Sequence, residues 1–422
     1  MATSVHSSSK SADHPLMLGF RAIDTAAPFL QNITILIRTN FIMNSQSFRL
    51  ATLSLMTLAL MACGGSKSVS PPSTESEEAV DNALLVTLGD ALFTDKTLSV
   101  NNIVSCQSCH TSAGVAFSDS PNRLSAGVMS NITVRNSPAL SYVSFIPALT
   151  QVDMAWIGGL FHDGRADSLA EQIEGPLLGA REMGNSTKAD VIAKLCASSS
   201  PSKAEFTAAY GSDSLSAACA ATPQQADIDT TFARIGRALA ALQSSEDFQP
   251  FSSKYDAYLN GKASLSKQEI QGLSAFVRAD KGNCAACHVI NRDNPAKQPL
   301  FTDFTYDNIG LPSVAGDVID PGLFATAKVN ADASLQGKFR VPTLRNVEVT
   351  APYMHNGVFA DLKTAVEFYS SRDTDPRWAA MGATDYPETV NKTELGNLKL
   401  SAGEIDAIVA FLKTLTDNYT AP

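Results

Sequence analysis

Two five-residue stretches constrain this chain more than anything else in it: Cys106-Gln107-Ser108-Cys109-His110 and Cys284-Ala285-Ala286-Cys287-His288. In a C-x-x-C-H run, two thiols can add to the vinyl groups of one porphyrin while the next histidine offers a nitrogen to its iron. The 422 residues contain seven cysteines and six histidines, so the same ordered pentad occurring twice is hard to ascribe to accident. The rivals are a zinc site and a redox dithiol. Zinc frameworks built on C-x-x-C pairs normally keep their other ligands close by, and neither pentad has a second Cys or His pair near it. The pentads therefore imply two covalently held c-type haems.

With 44% hydrophobic residues and a mean hydropathy near zero, the chain can build two ordinary cores, which suits one haem per domain. A formal net charge of −10 argues against nucleic acid or anionic membrane surfaces as partners, because phosphate binding needs basic patches.

Leu50 to Ala62 is apolar and 13 residues long, too short to span a bilayer but the length of a signal-peptide core. It ends in Leu60-Met61-Ala62-Cys63-Gly64, which resembles the lipobox of bacterial lipoproteins, with Cys63 as the lipidated residue. An ordinary cleavage site beside a stray cysteine is the alternative. Residues 1–62 thus read as a leader, with Met43, followed by Arg49, as a better start than Met1. The expected location is the periplasm, with a lipid anchor as the only membrane attachment. Residues 63–80 read as a flexible tether, since Gly64 to Glu78 is rich in Ser and Pro and nearly free of apolar side chains. Cys196 and Cys219 are left over, and in an oxidising compartment an isolated pair is better read as a disulfide than as two free thiols.

Asp81 to Phe93 carries Leu84, Leu85, Leu88 and Leu92 at helical spacing ahead of the first pentad. The second pentad has a similar lead-in: Ser266 to Glu269 is a capping box, and Ile270, Leu273, Phe276 and Val277 form one apolar face. Phe232 to Leu242 also reads as helix. The boundary between an N-terminal haem domain (81–247) and a C-terminal one (248–422) is placed at Phe248 to Leu259. Asn291 to Leu335, rich in Asp, Asn, Pro and Gly, reads as a long loop. Asp361 is an N-cap for a helix carrying Leu362, Val366 and Tyr369 on one face, and Ser401 to Glu404 is another capping box before the last helix. No sheet is expected to dominate. The fold class is mostly α, two cytochrome-c-like haem domains with long loops.

Further segments fall in a recognisable order. They are Leu-Phe-x-Asp-x-x-Leu-Ser (Leu92 to Ser99), Arg135-Asn136-x-Pro138, Asp163-Gly164-Arg165, Gln172 with Glu182 ten residues on, and Val341-Pro342-Thr343-Leu344-Arg345-Asn346 leading to Ala351-Pro352-Tyr353-Met354-His355. Over roughly residues 80 to 417 the chain resembles the bacterial di-haem cytochrome c peroxidase family, which includes the MauG-type enzymes. The resemblance implies that the haem on His110 meets peroxide and the haem on His288 stores and relays electrons. It places Glu182 on the catalytic glutamate and Gln172 on the distal glutamine. A carboxylate suits that task because a proton must leave bound hydrogen peroxide and return to the departing oxygen. Asn136, Thr350 and Pro352 match positions that hold a calcium ion between the haems, and oxygen donors suit such a hard cation. Arg165 and Arg345 are candidates for haem propionate contacts, because guanidinium pairs well with carboxylate.

Three departures from the family pattern bear on function. Peroxidase members carry a histidine about sixteen residues after the first pentad, whereas Thr111 to Met129 contains none, so the first iron is expected to be open, with Met129 as a stand-in. Tyr369 stands fourteen residues after His355, where electron-relay peroxidases have methionine and MauG-type enzymes tyrosine, which makes it the expected second-iron ligand; Met354 and Met381 are the alternatives. Relatives have tryptophan before Asp-Gly-Arg, but here the residue is His162, with Trp156 six residues earlier as a substitute relay or His162 itself as a pocket base or packed side chain.

The leading expectation is a peroxidase that reduces hydrogen peroxide with electrons from a small donor such as cytochrome c or a copper protein. The alternatives are a MauG-type enzyme oxidising side chains of a partner protein and a non-catalytic di-haem electron carrier. Oligomeric state is left open, a homodimer among the options.

Overall fold

The computed structural model describes residues 80–111, 114–329 and 332–421, all within one unit spanning residues 76–422. The leader, Met43, Cys63 and all but the last residue of the tether lie outside the described residues.

Asp81 opens the helix Asn82–Thr94, its carboxylate accepting the Ala83 N–H at 2.9 Å. This helix buries Leu85, Leu88, Leu92 and Phe93 while Leu84, expected on the same face, is 39% exposed. The reason is the crossing partner. Gly89 lies so close to the helix Gln225–Gln243 that a Cβ there would come within 2.4 Å of the Ala238 carbonyl oxygen. Backbone-to-backbone approach of this kind rotates the buried face toward the glycine. The second lead-in helix, Lys267–Val277, begins with the Ser266/Glu269 capping box and repeats the device. A Cβ on Gly272 would meet the Ala407 carbonyl oxygen of the helix Ala402–Lys413 at 1.8 Å. Gly272, Ala275 and Phe276 are buried there, whereas Ile270 (51% exposed) and Val277 (40%) face out, contrary to the periodicity expectation.

The apolar interior sorts along the sequence. One cluster runs from Leu85 to Phe248, a second from Tyr255 to Leu415, and a small third joins Leu149 to Leu323, Val329 and Leu335. Between the first two clusters, Phe248 stacks on Phe117 with centroids 3.9 Å apart, and the helix Lys254–Leu259 carries its own Ser253/Asp256 capping box. The stretch 248–259 is therefore firmly packed. Tyr142 reaches across it, donating its hydroxyl to Asp417 at 2.7 Å and accepting the Phe251 N–H.

Among the described residues, sheet is confined to two two-stranded ladders, Thr150–Val152 with Ala155–Ile157 and Tyr306–Asp307 with Phe339–Arg340. The described residues of the segment from Asn291 to Leu335 are otherwise irregular, with 3-10 turns at Leu323–Ala325 and Ala333–Leu335. Cys196 and Cys219 are disulfide-bonded, their Cα atoms 5.6 Å apart. No helix among the described residues is long and apolar enough to cross a membrane.

Candidate functional site

Each pentad begins as one tight turn. Ser105 N–H donates to the Ser108 hydroxyl, closing the short helix Cys106–Cys109, and the His110 N–H returns to the Cys106 carbonyl at 2.9 Å. The second pentad forms a 3-10 turn, Cys284–Ala286, entered through a left-handed Asn283. In both, the histidine Nδ1 is held by a backbone carbonyl: Phe117 at 3.1 Å from His110 and Phe301 at 2.9 Å from His288. A ring anchored at Nδ1 presents Nε2 as its free ligand atom.

All four pentad thiols are unbridged. Burial pushes Cys106, Cys284 and Cys287 up to about 12 and Cys109 to about 11. A redox dithiol needs a thiolate at neutral pH, so these half-buried thiols, held in the protonated form, fit the dithiol reading poorly. Among the described residues no group of three or more His, Cys, Asp or Glu side chains converges as a closed zinc set would.

The second pentad opens on a cavity of about 340 Å³ whose wall includes Cys284, Cys287, His288 and Tyr369. Apolar side chains such as Phe276, Leu344, Leu362 and Ile408 supply much of the rest, as a porphyrin face requires. Tyr369 comes from the helix Leu362–Ser371, started by Asp361, whose carboxylate accepts the Thr364 N–H. Burial pushes its phenol far above the ordinary range, and the Cys284 and Cys287 sulfurs add to that effect. Met354 lines the same cavity, but Met381 is 43% exposed and does not.

Around the first pentad, Glu182 is half-buried and its carboxyl is raised by burial, opposed by the Arg165 cation. The Glu182 charge is felt at both Cys106 and Cys109, which places the carboxylate beside the pentad. Its backbone is fixed by Glu182 N–H to Gly179 O at 2.9 Å and Val128 N–H to Glu182 O at 3.0 Å. Gln172, half-buried, ends the one-turn helix Leu169–Gln172 that Ser168 caps. Met129 is 67% exposed in a turn with φ 55°, so the thioether offered as a stand-in on the first iron lies at the surface.

Asn136, Thr350 and Pro352 all line the second-pentad cavity. Asn136 Nδ2 donates to the carbonyls of Asn122 and Arg123, which leaves Oδ1 as an oxygen donor, the type a calcium ion takes. The Asn136 N–H also binds the His355 carbonyl at 2.8 Å, and His162 Nε2 sits 3.0 Å from the Asn136 carbonyl. Burial and then Arg135 push His162 down to about 4, and burial pushes His355 to about 3, so both imidazoles are neutral at neutral pH. His355 stacks on Phe339 at 3.6 Å. Trp156 packs instead with the small cluster around Leu149 and Leu323 and is not on the cavity wall.

The two arginines singled out in the sequence meet different fates. Arg165 bonds Asp163 at 2.9 Å and lies 3.4 Å over the Phe161 ring, 45% exposed. Arg345 lies on the cavity wall, but its Nη1 and Nη2 each bind Asp256 at 2.9 Å and its Nε binds the Pro299 carbonyl at 2.7 Å. Three of its five N–H donors are thus spent inside the protein, an internal carboxylate taking two of them, and a propionate contact at Arg345 stays an expectation. Arg135, bound by Asp163 and Asp320, was marked in the sequence only by its place in the Arg135-Asn136-x-Pro138 motif, and Arg340, just before Val341, escaped sequence reasoning.

The two pentads share one arrangement, a tight turn of two cysteines followed by a histidine held at Nδ1 by a backbone carbonyl, and the second of them opens on the cavity. The family model for di-haem cytochrome c peroxidase matches residues 83–264, and the chain is 35% identical over 401 residues to the methylamine utilization protein MauG of Paracoccus denitrificans, covering 89% of this chain and 97% of that protein. The chain belongs to the di-haem cytochrome c peroxidase family. It is also 30% identical to a cytochrome c551 peroxidase of Nitrosomonas europaea, over 87% of this chain and 92% of the other. Among solved structures it is similar to the diheme peroxidase BthA from Burkholderia thailandensis, with TM-score 0.70, 34% identity and 80% and 89% of the two chains covered. A MauG-like protein associated with microbial copper homeostasis gives TM-score 0.61 and 29% identity over 84% and 95%.

Proposed function

We propose that the protein is a periplasmic peroxidase that converts hydrogen peroxide to water with electrons from a small redox protein such as a cytochrome c or a copper protein. Cys106, Cys109 and His110 would hold one haem, and Cys284, Cys287, His288 and Tyr369 the other. When bound, the haems supply the iron chemistry that peroxide reduction needs and the store of electrons behind it.

The observation that carries the reading is Glu182, a carboxyl raised by burial beside the first pentad and opposed by Arg165. Its carboxylate form takes a proton from one oxygen of hydrogen peroxide and returns it to the other as the O–O bond breaks. Two electrons and two further protons complete the balance to two waters. Gln172 positions the peroxide by hydrogen bonding, and Arg165 keeps enough of Glu182 ionised to accept the proton. A calcium ion on Asn136, Thr350 and Pro352 would stiffen the segment joining the two pentads. Export by the leader and lipidation of Cys63 remain part of the proposal.

Tyr369 and the long match to MauG favour a second reading, in which the same site oxidises side chains of a partner protein. Steady-state peroxide turnover with reduced cytochrome c separates the two. Sustained turnover supports the peroxidase. Turnover no faster than without donor, together with a new covalent modification on a partner protein after peroxide addition, supports the MauG-type enzyme.

A further inference from the structure

The wall of the second-pentad cavity carries two cations among its described residues, Arg340 and Arg345. Their surroundings differ. Arg345 has Asp256 across both terminal nitrogens. Arg340 has no carboxylate within ion-pair distance among the described residues; Asp163, whose charge it feels, already binds Arg135 and Arg165.

Arg340 is held by its backbone and by one edge of its guanidinium. It pairs with Tyr306 in the short ladder, gives its N–H to the His162 carbonyl at 2.9 Å, and gives Nη2 to the Phe161 carbonyl at 3.1 Å. Its Nε is closed off from solvent with no hydrogen-bond partner. An unmet buried donor costs about 1–3 kcal/mol, and more when the group is charged. A cation on a cavity wall with no counter-charge beside it among the described residues is compensated when an anion binds there. The other carboxylates on the same wall are engaged: Asp320 with Arg135, Asp307 and Glu394 with Asn391, and Asp385 with Ser313. They would repel an incoming anion and leave Arg340 as its one open cationic neighbour.

We propose that Arg340 anchors a propionate carboxylate of the porphyrin held by Cys284, Cys287 and His288. The inference rests on the two-haem reading and gives Arg340 the role the sequence offered to Arg345. A guanidinium matches a carboxylate with paired N–H donors, and the Nη1/Nη2 end of Arg340 supplies them: Nη1 has no partner among the described residues, and Nη2 spends one of its two hydrogens on Phe161. By cancelling propionate charge, the cation favours the reduced form of the second haem and raises its potential.

The test begins with haem content of the matured wild-type protein by pyridine haemochrome. Fewer than two equivalents would remove the two-haem reading and this proposal with it. With two present, redox titration of Arg340→Gln is expected to retain both haems and to lower the second-haem reduction equilibrium about tenfold, about 59 mV for one electron, with the first haem unmoved. An unchanged second-haem potential, or a shift confined to the first haem, overturns the proposal. Arg340→Lys keeps the charge but loses the fork, and guards against a glutamine variant that fails to fold. Its second-haem potential should stay closer to wild type while the propionate bending band in the resonance Raman spectrum moves down in frequency. A band at the wild-type position overturns the proposal equally.

Discussion

The Arg345 guanidinium grips Asp256 through two parallel hydrogen bonds of 2.9 Å, joining residues 89 apart in sequence inside a cage formed by Tyr142, Phe251 and Phe301. Arg345 is 1% exposed and Asp256 2%. Removing either partner strands the other charge, so Asp256→Asn or Arg345→Leu should lose about 3–5 kcal/mol in urea unfolding at neutral pH. Burial pushes the Asp256 carboxyl up, but the Arg345 hydrogen bonds outweigh it and hold the group below its ordinary value. A carboxyl depressed on folding contributes stability above its unfolded pKa and loses it as pH falls through the folded value. The difference between wild type and Asp256→Asn should therefore shrink in acid. A difference that does not change with pH would count against this pair.

Glu182→Gln keeps the size of the side chain and removes its proton-accepting form. Peroxide turnover should fall about 10²–10⁴-fold with both haems still attached by pyridine haemochrome. Unchanged peroxide kinetics would take Glu182 out of the mechanism.

Arg165 opposes the burial that raises Glu182. Arg165→Gln should raise that carboxyl further, and because the carboxylate is the working form, the acidic limb of the rate–pH profile should move to higher pH. A stationary limb would mean that the Arg165 charge does not reach the reacting group.

Tyr369 lines the cavity with His288, and a phenolate is an anionic donor that lowers iron potential where a thioether raises it. Tyr369→Met should raise the second-haem potential and change its resting EPR signals. If both stay at their wild-type values, the ligand is to be sought at Met354.

Asn136 offers Oδ1 beside Thr350 and Pro352. Metal analysis after dialysis should find about one calcium per wild-type chain and less in Asn136→Ala, as oxygen-donor coordination predicts. Equal contents would dismiss this site.

What the sequence revealed was local in range. The capping boxes at Ser266 and Ser401 and the Asp81 and Asp361 caps are made within three residues of themselves, so the residues alone specify them. Helical faces were only half legible. Leu84, Ile270 and Val277 satisfy the apolar period yet face out, because Gly89 and Gly272 turn each helix toward a partner far along the chain.

By itself, then, the sequence determined the two thiol-histidine anchors, the helix starts and the order of the motifs, since each depends on spacing along a few residues. Tertiary structure decided which arginine is already neutralised and which is left with an unmet donor, and that the half-buried imidazoles of His162 and His355 are neutral. Desolvation and Coulomb energy depend on distance through space, and the groups that set them, Asp256 for Arg345 and Arg135 for His162, approach only when the chain has folded.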